Sequence, residues 1–197
     1  MTEKQGIIVA KKPWSGYVAL GSNLETATQT SLDMVNGALG LFAEAGLRVR
    51  ARSHWYRAPA FPAGAGPDYV NGVVEIETTQ AAAVVLAALH NIEDHLGRTR
   101  PKRWASRVID LDLLAIEAVV SPDLAEFYYW KNLSLSAQME AAPKQLILPH
   151  PRLQDRAFVL QPLAEIAPHW RHPVLGQTAT TLLAALPAKA RAEIQPI

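Results

Sequence analysis

A chain of 197 residues is long enough for one domain with a core of its own. Hydrophobic residues at 49% and charged residues at 19% exclude a disordered, collagen-like or coiled-coil chain. Nineteen basic against eighteen acidic side chains leave a formal charge of +1, so no global field draws the chain to nucleic acid or membrane; the lack of cysteine excludes disulfides and thiolate metal sites.

Residues 1–15 are polar, punctuated by Pro13, and read as an N-terminal tail ahead of one domain over 16–197. The apolar run at 7–10 is too short for a signal-peptide core, and the run at 81–89 is too short to span a bilayer, so a cytoplasmic protein is expected. Residues 16–21 predict a short buried strand ending at Gly21. Ser22 and Glu25 then fit a capping box for a helix with Leu32, Val35, Leu39 and Phe42 on one face, closed by Gly46. Alternation predicts a strand over 49–56, and a turn-rich stretch separates it from another over 69–78. A second helix is predicted over 81–96 with Val85, Leu89, Ile92 and Leu96 as its stripe and Gly97 after it, followed by a strand over 108–116. The order β-α-β-β-α-β predicts an α+β, ferredoxin-like core. Beyond it lie an insert near 118–145, the loop Leu148-Pro149-His150, an apolar run over 158–163 and a late helix near 178–186.

The strongest chemical signal joins a basic run to two acids. Arg98, Arg100, Lys102, Arg103 and Arg107 supply five cations with no acid among them, a pattern suited to holding phosphate bidentately. Asp110 and Asp112 follow at i and i+2 on a strand, so both carboxylates leave one face while Ile109, Leu111 and Leu113 occupy the other. Hard oxygen ligands beside a phosphate patch favour Mg²⁺. A solvated basic loop paired with two surface aspartates accounts equally for the charge pattern alone. Two aspartates in an otherwise apolar strand tip the reading toward function, because aspartate is a poor strand former. Tyr69, Asn71, Trp55 and Tyr56 place rings beside an amide that could read a heterocycle edge, although such rings usually pack in cores. His150, alone between two prolines, reads as an exposed loop residue. The histidines show no zinc spacing, and there is no Walker-type glycine loop.

These pieces occur in one order: residues 18–24 (VALGSNL), 56–59 (YRAP), 68–71 (DYVN), 96–98 (LGR), Arg103-Trp104, 107–112 (RVIDLD), 148–150 (LPH), Arg156 and 158–160 (FVL). Over about residues 17–172 the chain resembles the 6-hydroxymethyl-7,8-dihydropterin pyrophosphokinase family. The resemblance implies transfer of the β,γ-diphosphoryl group of ATP to the pterin hydroxymethyl group with release of AMP, in folate biosynthesis. It implies two Mg²⁺ ions on Asp110 and Asp112, with Arg98 and Arg107 neutralising the transferred group. Arg103 and Trp104 would sit on a closing loop. Tyr56, Ala58, Pro59, Tyr69, Asn71, Trp104 and Phe158 would bind the pterin. Glu93, Arg98, Arg100, Arg103, Trp104, Arg107, Leu113, His150 and Arg156 would bind ATP.

The partners implied are these small molecules, with neither nucleic acid nor membrane, and the protein is expected to be a monomer. Gln145 stands where the family often has an arginine, and the segment between Asp112 and His150 is longer than in compact members. For that insert a helix from Pro122 to about Met139 is predicted, with Ser121 as N-cap and Phe127, Trp130 and Leu133 in one sector; it either docks on the flank or covers the nucleotide. Two other readings stay open: a nucleotidyltransferase with the same D-x-D metal logic, and a ferredoxin-like nucleic-acid module. The latter would need exposed aromatics on central strands in a pattern this sequence lacks.

Overall fold

The computed structural model describes residues 12–24, 28–60, 66–97, 108–134, 137 and 142–197. One antiparallel sheet organises them. Strand β1 (Trp14–Ser22) is central, flanked by β4 (Tyr69–Thr78) and β5 (Asp110–Ile116). β2 (Arg48–Arg52) and β3 (Tyr56–Ala58) pair with successive parts of β4, and the short β6 (Gln195–Pro196) adds to β3. Helices α1 (Ser31–Gly40) and α2 (Ala82–His95) complete the predicted βαββαβ order, with the sheet order of a ferredoxin-like fold.

The two sheet faces are covered differently. Val18, Leu20, Val74, Ile76, Leu111 and Leu113 point to α1 and α2 and form the main core with Val35, Phe42, Val85 and Leu89. Val73 and Leu114 point the other way, to α4 (Ala157–Ile166) and α5 (Ala179–Ala185), through Val159, Leu160, Leu163, Ala179 and Leu182. The apolar run at 158–163 is thus a helix lid on the second face, and the late helix forms as expected, capped by Thr178, whose side chain accepts from Thr181 N. A short α6 (Ala188–Ala192) leads into β6.

Several expected boundaries move. β1 starts at Trp14, whose indole N–H donates to the Gln80 carbonyl at 2.8 Å, so residues 14 and 15 belong to the sheet and not to a tail. Ser22 is not a helix cap: it is the last residue of β1, fully buried and paired with Val70. The same cap signature recurs eight residues on, where Thr30 Oγ1 accepts from Asp33 N at 3.2 Å and Thr30 N donates to the Asp33 carboxylate at 2.9 Å. Glu25 lies outside the described residues. α1 ends at Gly40, and turns carry the chain from there to Gly46.

The strand expected over 49–56 is broken at 53–55. There Ser53 Oγ takes the Val73 N–H at 3.1 Å in place of a backbone carbonyl. Trp55 turns under α1, its indole N–H donating to Asn36 Oδ1 and its ring lying over Gly72, so its role is core packing. In the insert, α3 (Leu124–Asn132) is shorter than expected and is capped by Asp123, which accepts from Glu126 N at 2.9 Å. Ser121 instead makes a two-bond bridge with Leu148, which removes it and Pro122 from the helix. Phe127 is fully buried, Trp130 and Leu133 half-buried, and Tyr128 and Tyr129 exposed, as the predicted sector requires.

Candidate active site

Sheet register assembles the site. Asp110 pairs with Gly21, Gly21 with Asn71, and Asn71 with Tyr56, so these four residues form one row across four strands. Directly paired residues share a face, and strands lie about 4.8 Å apart, which places Asp110 about 10 Å from Asn71 and about 14 Å from Tyr56. The next row, Asp112–Ala19–Val73, enters the cover of α4. The Asp110 row therefore lies just where the helical lid stops.

At the acidic end, Asp110 and Asp112 are both half-buried on one face, as predicted. Arg156 Nη1 stands 3.6 Å from Asp112 Oδ2, and the same guanidinium lies over the Phe158 ring at 5.7 Å. Glu93 is fully buried, and its Oε1 accepts the backbone N–H of Leu111 at 2.7 Å. It thus holds the strand segment between the two aspartates. Leu113 is buried in the main core under α2, its side chain on the opposite face from Asp112.

His150 corrects the expectation of an exposed loop residue. Its backbone N–H donates to the Leu114 carbonyl at 2.7 Å, docking the loop on β5, and its Nδ1 accepts from Arg152 N at 3.1 Å. Burial first, and the Arg156 charge second, pull its pKa down to about 3. At neutral pH the ring is uncharged, with its proton on Nε2 as a donor. Gln145 is exposed.

At the other end, Tyr56 and Ala58 are buried against Ala157, with Phe158 packed onto the same cluster. Tyr69 is half-buried two register positions from Asn71, on the same face and paired with Ala58; Pro59 is exposed. Asn71 is 5% exposed, and among the described residues its Nδ2 has no hydrogen-bond partner. Room for this amide comes from Gly21: a Cβ there would lie 2.9 Å from Asn71 Oδ1. The structure thus brings together Asp110, Asp112, His150 and Arg156 at one end and Tyr56, Ala58, Asn71 and Phe158 at the other. Arg98, Arg100, Arg103, Trp104 and Arg107 lie outside the described residues.

Sequence reading passed over Gly21 as a contributor. Gly21 carried a usable signal, since a glycine within a strand marks close approach of another group.

Comparisons with known proteins identify the family. Residues 17–168 match the family model for 7,8-dihydro-6-hydroxymethylpterin-pyrophosphokinase. The chain is 38% identical over 167 residues to a 2-amino-4-hydroxy-6-hydroxymethyldihydropteridine pyrophosphokinase of Synechocystis, covering 84% of this chain and 73% of that one. It is 36% identical over 171 residues to the protein of that name from Methylorubrum extorquens, covering 86% and 92%. Among solved structures, wild-type Plasmodium falciparum HPPK-DHPS is similar in fold, with a TM-score of 0.61 at 14% identity; the match covers 88% of this chain but 44% of that one. A match over most of the chain, together with relatives above 30% identity, places this protein in the 7,8-dihydro-6-hydroxymethylpterin-pyrophosphokinase family.

Proposed function

We propose that this chain transfers the β,γ-diphosphoryl group of ATP to the hydroxymethyl group of 6-hydroxymethyl-7,8-dihydropterin and releases AMP, as its relatives' names indicate. The observation that carries the reading is the single sheet row with carboxylate at one end and a buried amide between aromatic residues at the other. An anionic polyphosphate and a flat heterocycle suit those two environments, which the row sets about 10 Å apart.

Two half-exposed carboxylates on adjacent same-face positions suit Mg²⁺, which binds few protein oxygens and completes its shell with water and phosphate. Among the described residues no cluster of three or more histidine or acidic side chains competes as a metal site. Asp110 and Asp112 would hold two such ions, whose bound charge polarises the phosphoryl oxygens. Arg156, held beside Asp112, offers its remaining N–H donors to phosphate and keeps two like charges tolerable in one site. Neutral His150 donates from Nε2 without bringing a second cation. Arg98 and Arg107 would neutralise the transferred group and the departing AMP, while Arg100 adds charge on the nucleotide side and Arg103 and Trp104 close over the substrates.

On the pterin side, Asn71 reads the heterocycle edge with its unspent donor, and Phe158 supplies a stacking face kept in place by Arg156. Tyr56, Ala58, Pro59 and Tyr69 border the slot. This orientation brings the pterin hydroxymethyl group to face the polyphosphate along the row, as in-line attack at the β-phosphorus requires. Every group named comes from one copy of the chain, which supports a monomeric enzyme acting on small molecules. No helix among the described residues is long and apolar enough to cross a membrane.

Incubation of purified protein with the pterin, ATP and Mg²⁺, followed by nucleotide chromatography, tests the reaction. AMP and the pterin diphosphate are expected in equal amounts. Release of ADP, or of inorganic diphosphate with a nucleotidyl product, overturns the proposal.

A further inference from the structure

One hydrogen-bonded cluster on the second sheet face serves none of the roles described so far. Glu165 projects from α4 toward the break between β2 and β3. Its carboxylate accepts the His54 backbone N–H at 3.1 Å, lies 2.7 Å from His54 Nδ1, and accepts the Tyr56 hydroxyl through Oε2 at 2.8 Å. Both carboxylate oxygens are therefore occupied by residues of one short segment.

This segment is where the sheet needs help. Regular pairing with β4 stops after Arg52, Ser53 keeps hold of Val73 through its N–H and hydroxyl, and β3 is only three residues long, held by β4 on one side and the two-residue β6 on the other. Backbone pairing alone gives Tyr56 few constraints. The clamp adds a link from the side, joining the strand that carries Tyr56 and Ala58 to the helix that carries Phe158. It also directs the Tyr56 hydroxyl at α4, so the tyrosine presents its ring, and not its oxygen, to the row.

We infer that Glu165 is a positioning residue for the pterin: by holding Tyr56 and His54 to α4, it sets the separation between Tyr56 and Phe158 across the slot. The inference rests on the proposed reaction. Glu165 acts through Tyr56 and contacts no reacting atom. Its influence is confined to the end of the row away from Asp110, so its loss is felt in pterin binding and not in nucleotide binding.

Steady-state kinetics with both substrates varied test this in three variants. Glu165→Ala is expected to raise KM for the pterin about tenfold, the scale of a misplaced binding group, with KM for ATP and kcat within about twofold of wild type. Glu165→Gln is expected to restore the pterin KM, because its amide can accept from His54 N–H and donate to the Tyr56 hydroxyl. Tyr56→Phe, which keeps the ring and removes only one bond of the clamp, is expected to raise the pterin KM about threefold; it carries the test if Glu165→Ala does not fold. A folded Glu165→Ala protein with unchanged pterin KM, or with both KM values raised alike, overturns the inference. Wild-type protein that makes no AMP overturns the proposed reaction instead, so the two failures are distinct.

Discussion

The role of Gly21 yields a prediction whose size follows from one distance. In Gly21→Ala the new methyl would start 2.9 Å from Asn71 Oδ1 and 3.8 Å from Tyr69 Cδ1. An unbonded carbon and oxygen do not settle so close, so the amide must retreat by roughly 0.4 Å, or rotate, within a site that is 5% exposed. Two energies oppose each other in the fold itself. Alanine in a strand is better than glycine by about 0.5–1 kcal/mol, whereas overpacking costs about 1–3 kcal/mol, so a net loss of about 1 kcal/mol is expected. Binding suffers more than folding. A reading group displaced by a fraction of an ångström loses about tenfold in affinity, since displacement by 1 Å can cost about a hundredfold. Isothermal titration of the pterin into the purified variant measures this directly, with the melting temperature as control. Repeating it in an Asn71→Ala background isolates the cause: with the amide gone, the methyl has space, and its effect on affinity should fall within about twofold. Equal effects of Gly21→Ala in both backgrounds would refute the reasoning, because the clash with Asn71 would then not be what glycine avoids.

Three further outcomes are expected. Asp112→Asn should lower kcat by at least about a hundredfold while shifting stability by less than about 1 kcal/mol, since its side chain is 38% exposed; circular dichroism and the AMP assay check both. His172 is fully buried, accepts the Val174 and Leu175 N–H groups through Nδ1, and has its pKa lowered to about 4 mainly by burial. A base that stays neutral when folded leaves stability intact above about pH 6.5 and withdraws about 3 kcal/mol as pH falls to about 4; urea midpoints should therefore drop over that window, and less steeply in His172→Asn. Phe127→Ala should cost about 3–4 kcal/mol, because the ring is fully buried and packs on His172 at 5.5 Å, yet leave KM for ATP unchanged; a raised KM would return α3 to a nucleotide-covering role.

Legibility in the sequence followed the range of the forces involved. The D-x-D pair was readable because strand alternation is local: two positions apart means one face in any strand. The element order was readable for the same reason, from apolar spacing within each segment. Choices between two equivalent local signals were not. Ser22 and Thr30 both head a cap signature, and what decided between them was Val70, across the sheet, extending β1 through Ser22. Ser121 and Asp123 both suit a helix start, and the bridge from Ser121 to Leu148 decided for Asp123. The alternation over 49–56 runs unbroken in sequence, but Ser53 Oγ substitutes for a backbone acceptor and divides the strand. His150 gave no local sign of burial, which comes from docking on Leu114.

The same distinction explains why the candidate site is more ordered than its sequence motifs suggest. Each motif supplies chemistry, but their relative placement is register. Shifting β1 by one residue against β4 would put Gly21 and Asn71 on opposite sheet faces, setting Leu20 or Ser22 against the amide and turning Val18 and Leu20 out of the main core. The apolar face of β1 therefore fixes where the amide stands relative to Asp110. Arg156 extends that logic beyond the sheet. As the residue that caps α4, it reaches Asp112 in one direction and Phe158 in the other, so the packing of α4 on Val73 and Leu114 determines both ends of the row at once. A substitution that shifts α4 without unfolding it, such as Leu160→Ala at a fully buried position, should then weaken pterin and nucleotide binding together, unlike Glu165→Ala, which acts at one end.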